Sequence, residues 1–363
     1  MLEQFHVKEE DAVRVSTDAL RTTVIAVFEK LNVPTEDAAL AADALVAADL
    51  RGVESHGVSN LLRSYIDSYN KGEINPRPQW RVVRESPATA NVDCDRGLGT
   101  IIAPRAMDIA IDKARNTGVG MVTMFNGRHM GMASHFAMQA LKHDMIGIAM
   151  TGCPPSVFPT FGAEPRIGTN PIALAAPAKE EPPFVFDAAS SVVAGNKIGL
   201  AARLGTKLGP GWVPDEEGTP IMEPVDAPAN WRSNLRYLPL GSTREMGSHK
   251  GYGLACIVDI LSGVLSGGGY GMVPGRPTFH HFVGAYKIEA FTEVDQFKEM
   301  MDDFLRALRA TRPAPGHERV LYAGEPEAET ERDRSVNGIP LHKEVIQWFR
   351  EACGKLGIPY NLE

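Results

Sequence analysis

The 363 residues are 44% apolar and 23% charged, enough for a sizeable core in two domains or one large intertwined unit. A net charge of −8, with no basic block or basic aromatic stripe, argues against nucleic acid or an anionic membrane as a partner. Cys94, Cys153, Cys256 and Cys353 form no CxxC pair, which suits a reducing cytoplasm and offers no metal site.

Residues 1–10 are charged and lack the apolar stretch of a signal peptide. Leu20, Val24, Val27, Phe28 and Leu31 then share one helical face behind the capping candidates Ser16, Thr17 and Asp18. An Ala-rich helix through Leu40, Ala44, Leu45 and Ala48 stops near Gly52. A third helix carries Leu61, Leu62, Tyr65 and Ile66 and ends near Gly72. Ser55 and His56 fall at the junction of the second and third helices, where a helix N-terminus favours an anion.

From about Arg81 the pattern becomes α/β. Strands are predicted at 90–92, 118–124, 146–150, 171–176 and 184–186, and helices at 101–115 and 132–143. Alternating elements imply a sheet with covering helices. Residues 204–231, rich in Gly, Pro and acids, read as a surface excursion. The most apolar run, 254–265, holds Asp259 and is too short to span a bilayer, so it reads as a buried helix. Thr292 and Asp295 predict a box-like cap for a helix with Phe297, Met301, Phe304 and Leu308 inward. After a linker at 312–318, a last helix with Leu341, Val345, Trp348, Phe349 and Ala352 is expected to return to the first three.

The chain has no strand–GxGxxG–helix fingerprint, no GxxxxGK[ST] loop, no HExxH and no GxSxG. His280-His281 has no carboxylate at metal-ligand spacing and reads as surface or core histidine. Five segments carry chemical potential. Ser55-His56-Gly57 offers a titratable imidazole beside a hydroxyl. Asn126 to Gly131 lies between a strand and a helix, where glycines permit close approach of a pyrophosphate. Gly168 to Pro171 and Phe186 to Ser191 are turns of small residues that admit a flat ring. His249 to Gly253 opens the apolar helix with polar groups. Each alone is equally an ordinary turn or helix start.

In this order the segments resemble the malate/L-lactate dehydrogenase family of non-Rossmann type. That family includes ureidoglycolate and sulfolactate dehydrogenases, a diketogulonate reductase and piperideine-2-carboxylate reductases. The resemblance rests on SHGV at 55–58, NGRHMG at 126–131, GTNP at 168–171, FDAASSVVAGNK at 186–197 and GSHKGYGL at 247–254. Ala323-Gly324-Glu325 is similar to the family's PGE.

The resemblance implies a non-Rossmann nicotinamide-binding α/β domain at 79–311. It also implies a helical domain built from the N- and C-terminal segments, 1–78 with 312–363 returning to it. It implies that the active site lies between them and is completed in a homodimer. It implies NAD or NADP as cofactor, held by His129, Met130, Gly131, Met132, Ala133, Asp187, Ala188, Ala189, Leu240, Gly241, Lys250, Gly324 and Glu325. Thr169 matches a substrate contact. His56, with Ser55 in its relay, matches the proton donor of imine-reducing members, and His129 matches the acid/base of others. The implied reaction moves hydride between nicotinamide and C2 of a small 2-hydroxy or 2-oxo acid, helped by a histidine.

Two positions depart from the family. Asn60 stands where an Arg commonly clamps the substrate carboxylate, and Arg63, one turn further on, is the candidate to replace it. Lys197 stands at the place of the imine reductases' relay Asp. It favours a hydroxy-acid dehydrogenase over the alternative, a reductase of a cyclic or secondary imine.

Overall fold

The computed structural model describes residues 6–228, 235–274 and 279–362. Residues 1–5 of the charged N-terminal segment and 229–231 of the predicted excursion lie outside them.

A 3₁₀ turn (Glu9–Asp11) leads into β1 (Ala12–Val15). Ser16 then caps α1 (Thr17–Lys30), its side chain accepting from the Ala19 amide at 3.1 Å. Next come α2 (Thr35–Leu50), a 3₁₀ turn (Glu54–His56) and α3 (Val58–Asn70). The central region begins with β2 (Arg81–Glu85), β3 (Thr89–Asp93), α4 (Gly99–Thr117) and β4 (Val119–Gly127). The short α5 (Ala133–Ala137) runs on as a 3₁₀ stretch (Met138–His143) into β5 (Met145–Gly152). Then follow β6 (Ile172–Ala176), β7 (Phe184–Ala188) and α6 (Gly195–Leu204). Helix α7 (Ser248–Val258) continues as a π-helical stretch (Asp259–Val264). The chain closes with β8 (Phe279–Lys287), α8 (Val294–Arg309), α9 (Glu325–Asn337), β9 (Ile339–His342) and α10 (Lys343–Leu356).

Among the described residues the main sheet has seven strands in the order β2-β3-β4-β8-β5-β6-β7. Only β3 and β4 run parallel; the other neighbours are antiparallel. This mixed α/β sheet differs from the parallel sheet of a doubly wound dinucleotide fold. β1 pairs antiparallel with β9, Ala12 opposite His342, and α10 packs on α1. One buried cluster runs from Val24 and Phe28 through Ile101 and Met107 to Val283 and Phe349, so helices and sheet share a core. No helix among the described residues is long and apolar enough to cross a membrane.

His280-His281 belongs to the central strand β8 with both side chains buried, the core alternative of the two readings. Four other readings need correction. β2 and α6 are elements that local periodicity left unassigned. The predicted cap of α8 is not formed: its N-cap is Glu293, and Thr292 bonds Gln296. Phe304 of α8 is 52% exposed, while Asp302 and Leu305 are buried. The cause is Asp302, whose carboxylate accepts from the amides of Lys179, Glu180 and Glu181 and so fixes the rotation of the helix. Finally, the 254–265 run is buried on one side only; Leu254, Ile257, Ile260, Val264 and Leu265 face outward.

Candidate active site

The Glu54–His56 turn is held from several directions. Asp49 reaches across from α2, and its Oδ2 accepts from the Val58 amide at 2.8 Å, capping α3. Gly57 is required there, since a Cβ would stand 1.9 Å from Asp49 Oδ1. Asp49 is buried, which pushes its carboxyl up to about 8. Arg334 of α9 pairs with Glu54 at 2.7 Å and donates to the Asp49 carbonyl. Asn196 of α6 donates to the Ser55 carbonyl at 2.8 Å. These contacts fix the backbone of the turn that carries Ser55 and His56.

Two cavities meet at this turn. The first, about 410 Å³, is lined by His56, Leu61, Ser64, Tyr65, Ser68, Arg128, His129, Thr169, Asn196, Tyr237 and Phe279 among others. The second, about 540 Å³, is lined by Arg51, Ser55, His56, Gly131 to Ser134, Thr169, Val185 to Ala189, Lys197, Leu240, Gly324 and Glu327 among others. His56, Thr169 and Ala194 line both, so they form the neck where one opens onto the other.

At the neck, Ser55 Oγ lies 2.9 Å from His56 Nδ1. The His129 ring is stacked on His56, with centroids 5.9 Å apart. His129 Nδ1 accepts from the Gly131 amide at 3.1 Å and lies 2.8 Å from the Tyr65 hydroxyl. An amide donor at Nδ1 fixes it as an acceptor and leaves the ring proton on Nε2. Burial lowers His56 to about 4, with the Lys197 charge adding to the effect. Burial, His56 and His281 together lower His129 to about 3. Both rings are therefore neutral near pH 7. Burial also lowers Lys197, opposed by Glu327.

The second cavity gathers Gly131, Met132, Ala133, Asp187, Ala188, Ala189, Leu240, Gly324 and Lys197. Asp187 accepts from the Ser134 amide at 2.7 Å and ties β7 to α5. The small residues of this lining admit close approach of a flat cofactor, and Lys197 puts a basic group beside His56. Other expected residues are elsewhere. Met130 is packed in the core. Gly241 follows Leu240 against Gly247 and Ser248, outside the lining. Lys250 is exposed and is not part of the lining. Glu325 is buried against Arg309 at 3.0 Å, and Glu327 faces the cavity in its place.

The substrate clamp also needs correction. Asn60 lines neither cavity; it donates to the Glu54 carbonyl at 2.7 Å and accepts from Arg203. Arg63 is taken by Glu344 at 2.7 Å and lies over the Trp348 ring. The reason is helical geometry: Leu61, Ser64, Tyr65 and Ser68 form the cavity face of α3, and position 63 lies off it. Tyr65, Asn196, Arg128 and Glu327 are site residues that the motifs did not single out. Tyr65 was legible only as an apolar-face residue, and Arg128 only as a letter within NGRHMG.

Comparison with known proteins agrees with this architecture. The family model described as malate/L-lactate dehydrogenase matches residues 15–350. The malate dehydrogenase of Pyrococcus horikoshii is 41% identical over 96% of this chain and 97% of its own length. The L-sulfolactate dehydrogenase of Methanocaldococcus jannaschii is 36% identical over 94% of this chain and 96% of its own. The crystal structure of malate dehydrogenase from Entamoeba histolytica superposes with a TM-score of 0.91 at 33% identity, covering 96% of this chain and 99% of that one.

Proposed function

The chain belongs to the malate/L-lactate dehydrogenase family, dehydrogenases that act on a CH–OH group, and from this premise we propose that it moves hydride between NAD or NADP and C2 of a small 2-hydroxy or 2-oxo acid. The observation that carries the proposal is the neck: His56 is a neutral imidazole standing where the two cavities join.

The cofactor belongs in the larger cavity, held by Gly131 to Ala133, Asp187 to Ala189, Leu240 and Gly324. When bound, the nicotinamide supplies or accepts the hydride. The substrate belongs in the smaller cavity with its reacting carbon at the neck, near Thr169.

His56 transfers the proton. Its Nδ1 is engaged by Ser55, which leaves Nε2 for the substrate oxygen. Neutral Nε2 takes the hydroxyl proton as the alcohol is oxidised, and the imidazolium returns it in reduction. His129, its Nδ1 held by Gly131 and Tyr65, donates from Nε2 and orients the same oxygen. Lys197 beside His56, rather than a carboxylate, supports ketone and alcohol chemistry over imine reduction.

The working form is a homodimer, supported by the outward apolar stripe along α7 and its π-helical continuation. The test is a panel of 2-oxo and 2-hydroxy acids assayed with NAD(H) and NADP(H). Turnover of at least one acid is expected; cofactor binding with no acid turned over would overturn the reading.

A further inference from the structure

Helix α6 opens beside the neck without a side-chain cap. Its N-cap is Ala194, whose methyl group cannot accept from the first turn. The Lys197 amide bonds back to the Ala194 carbonyl, but the amides of Gly195 and Asn196 meet no acceptor among the described residues. Gly195 and Asn196 line the smaller cavity, and Ala194 lines both cavities. Asn196 also holds the Ser55 carbonyl at 2.8 Å, so this helix start stands directly against the turn that carries His56.

A second polar group is aimed at the same place. Tyr237 lines the smaller cavity, is only 2% exposed and packs among Val157, Ile167, Leu200 and Leu208. Its buried hydroxyl has no hydrogen-bond partner among the described residues. That hydroxyl lies over the first residue of α6, since a Cβ on Gly195 would stand 2.5 Å from it. Leaving a buried hydroxyl unpaired is costly, and so is a bare helix start. Two amides and a hydroxyl, all able to donate, thus converge on one part of the wall.

An anion answers all three, because a helix N-terminus favours negative charge and Lys197 in the same turn adds positive charge. The side chains expected to clamp a carboxylate are committed elsewhere. Asn60 is neutral and bound to the Glu54 carbonyl, and Arg63 is paired with Glu344. Arg128 is fixed on the Glu73 carbonyl, beyond the end of α3. The carboxylate of a 2-oxo acid is one bond from the reacting carbon, so its seat must adjoin the neck, as the start of α6 does.

We propose that the first-turn amides of α6 and the Tyr237 hydroxyl form the seat of the substrate's C1 carboxylate, in place of an arginine clamp. This rests on the hydroxy-acid reading of the site. Gly195 is then required, because any side chain there would displace the hydroxyl.

The experiment measures reduction of pyruvate, oxaloacetate and methyl pyruvate by the wild type, Tyr237→Phe and Gly195→Ala, with cofactor affinity titrated in parallel. Should neither acid be a substrate, an acid found in the wider panel and its methyl ester take their place. Tyr237→Phe keeps the packed ring and removes the donor. It should raise KM for both acids by the same factor, on the order of 10–10²-fold, with kcat much less affected. The preference in kcat/KM for pyruvate over its methyl ester should fall by that factor, while cofactor affinity stays as in the wild type. Gly195→Ala puts a methyl where the hydroxyl lies and should reproduce the effect. The two changes together should cost less than their product, as expected when both act through one group. If Tyr237→Phe does not fold, Gly195→Ala against the wild type carries the comparison. An unchanged KM for the acids, an equal loss with acid and ester, or a loss confined to cofactor affinity would overturn the seat and leave the hydroxy-acid reading standing. If the wild type with cofactor bound reduces no acid of the panel, that reading falls and this proposal with it.

Discussion

The imidazole rings of His56 and His129 lie 13° from parallel with their centroids 5.9 Å apart. At that separation the two cannot both carry a proton cheaply, and His56 is one of the groups that lowers His129. Their surroundings also differ. His56 lines both cavities, whereas His129 lines only the smaller one and is backed by Tyr65. The proposed function accordingly assigns proton exchange at the neck to His56 and orientation of the substrate to His129.

That division predicts unequal kinetic effects. His56→Ala should lower kcat by roughly 10²–10⁴-fold, the usual worth of general acid–base help, with cofactor affinity unchanged. His129→Gln should act mainly on KM, because an amide still donates a hydrogen bond. Steady-state kinetics with a turned-over acid, alongside cofactor titration, decide the matter. The assignment fails if His56→Ala leaves kcat intact.

Oxidation of the hydroxy acid requires His56 neutral. Its folded value lies near 4, below the usual 6.5, because burial disfavours the imidazolium. Activity in this direction is therefore present above that value and lost as pH falls through it. The acid limb of kcat/KM should lie well below pH 6.5. A limb at or above 6.5 that disappears in the His56 variant would show the opposite environment.

Asp49 supplies a stability counterpart. Its carboxyl is raised from 3.8 to about 8 by burial, then by Glu54, against the Val58 hydrogen bond and Arg334. Folded protein thus holds a proton that unfolded protein releases above pH 3.8. The contribution is complete below that pH, falls as pH rises, and is gone above about 8. Asp49→Asn keeps an acceptor for Val58 and removes the titration. Relative to the wild type it should gain stability with rising pH, by at most about 1.4 kcal/mol per unit, across this window. Denaturant unfolding at several pH values measures this; a difference independent of pH would mean that Asp49 is ionised throughout.

Much of the site was legible because its parts are short contiguous runs. SHGV, NGRHMG and FDAASSVVAGNK each keep their function within one turn or strand end. Relations between distant segments were not legible. β8 lies between β4 and β5, and neither is its neighbour in the chain, so the sequence left open whether its two histidines were surface or core residues. In place they are structural: His281 Nδ1 lies 3.0 Å from Thr151 Oγ1 and its Nε2 3.0 Å from the Arg128 carbonyl. Arg63 has the right residue type on the wrong side of α3, because Tyr65 and Leu61 define the cavity face and Glu344 arrives from the far end of the chain. Apolar content likewise says that 254–265 needs cover without saying what provides it.

The outward stripe on that segment yields the last prediction. Gly251, Ala255, Val258 and Ser262 face the protein, while Leu254, Ile257, Ile260, Val264 and Leu265 are 38–61% exposed on the other side. Contiguous exposed aliphatic side chains of this kind mark an interaction surface more often than solvent-facing surface. A second copy of this chain is the proposed cover. The stripe is also coupled to the cofactor cavity: a Cβ at Gly251 would stand 2.4 Å from the Leu240 amide, so α7 packs directly on the cavity wall. Light scattering should therefore find a dimer, and Ile257→Asp combined with Leu265→Asp should give a monomer that still folds. Because the wall loses its outer support, that monomer should bind cofactor more weakly, a change that surface charge alone would not produce. If the double variant stays dimeric, the interface lies elsewhere; if it becomes monomeric with cofactor affinity intact, the stripe holds the subunits together without shaping the site.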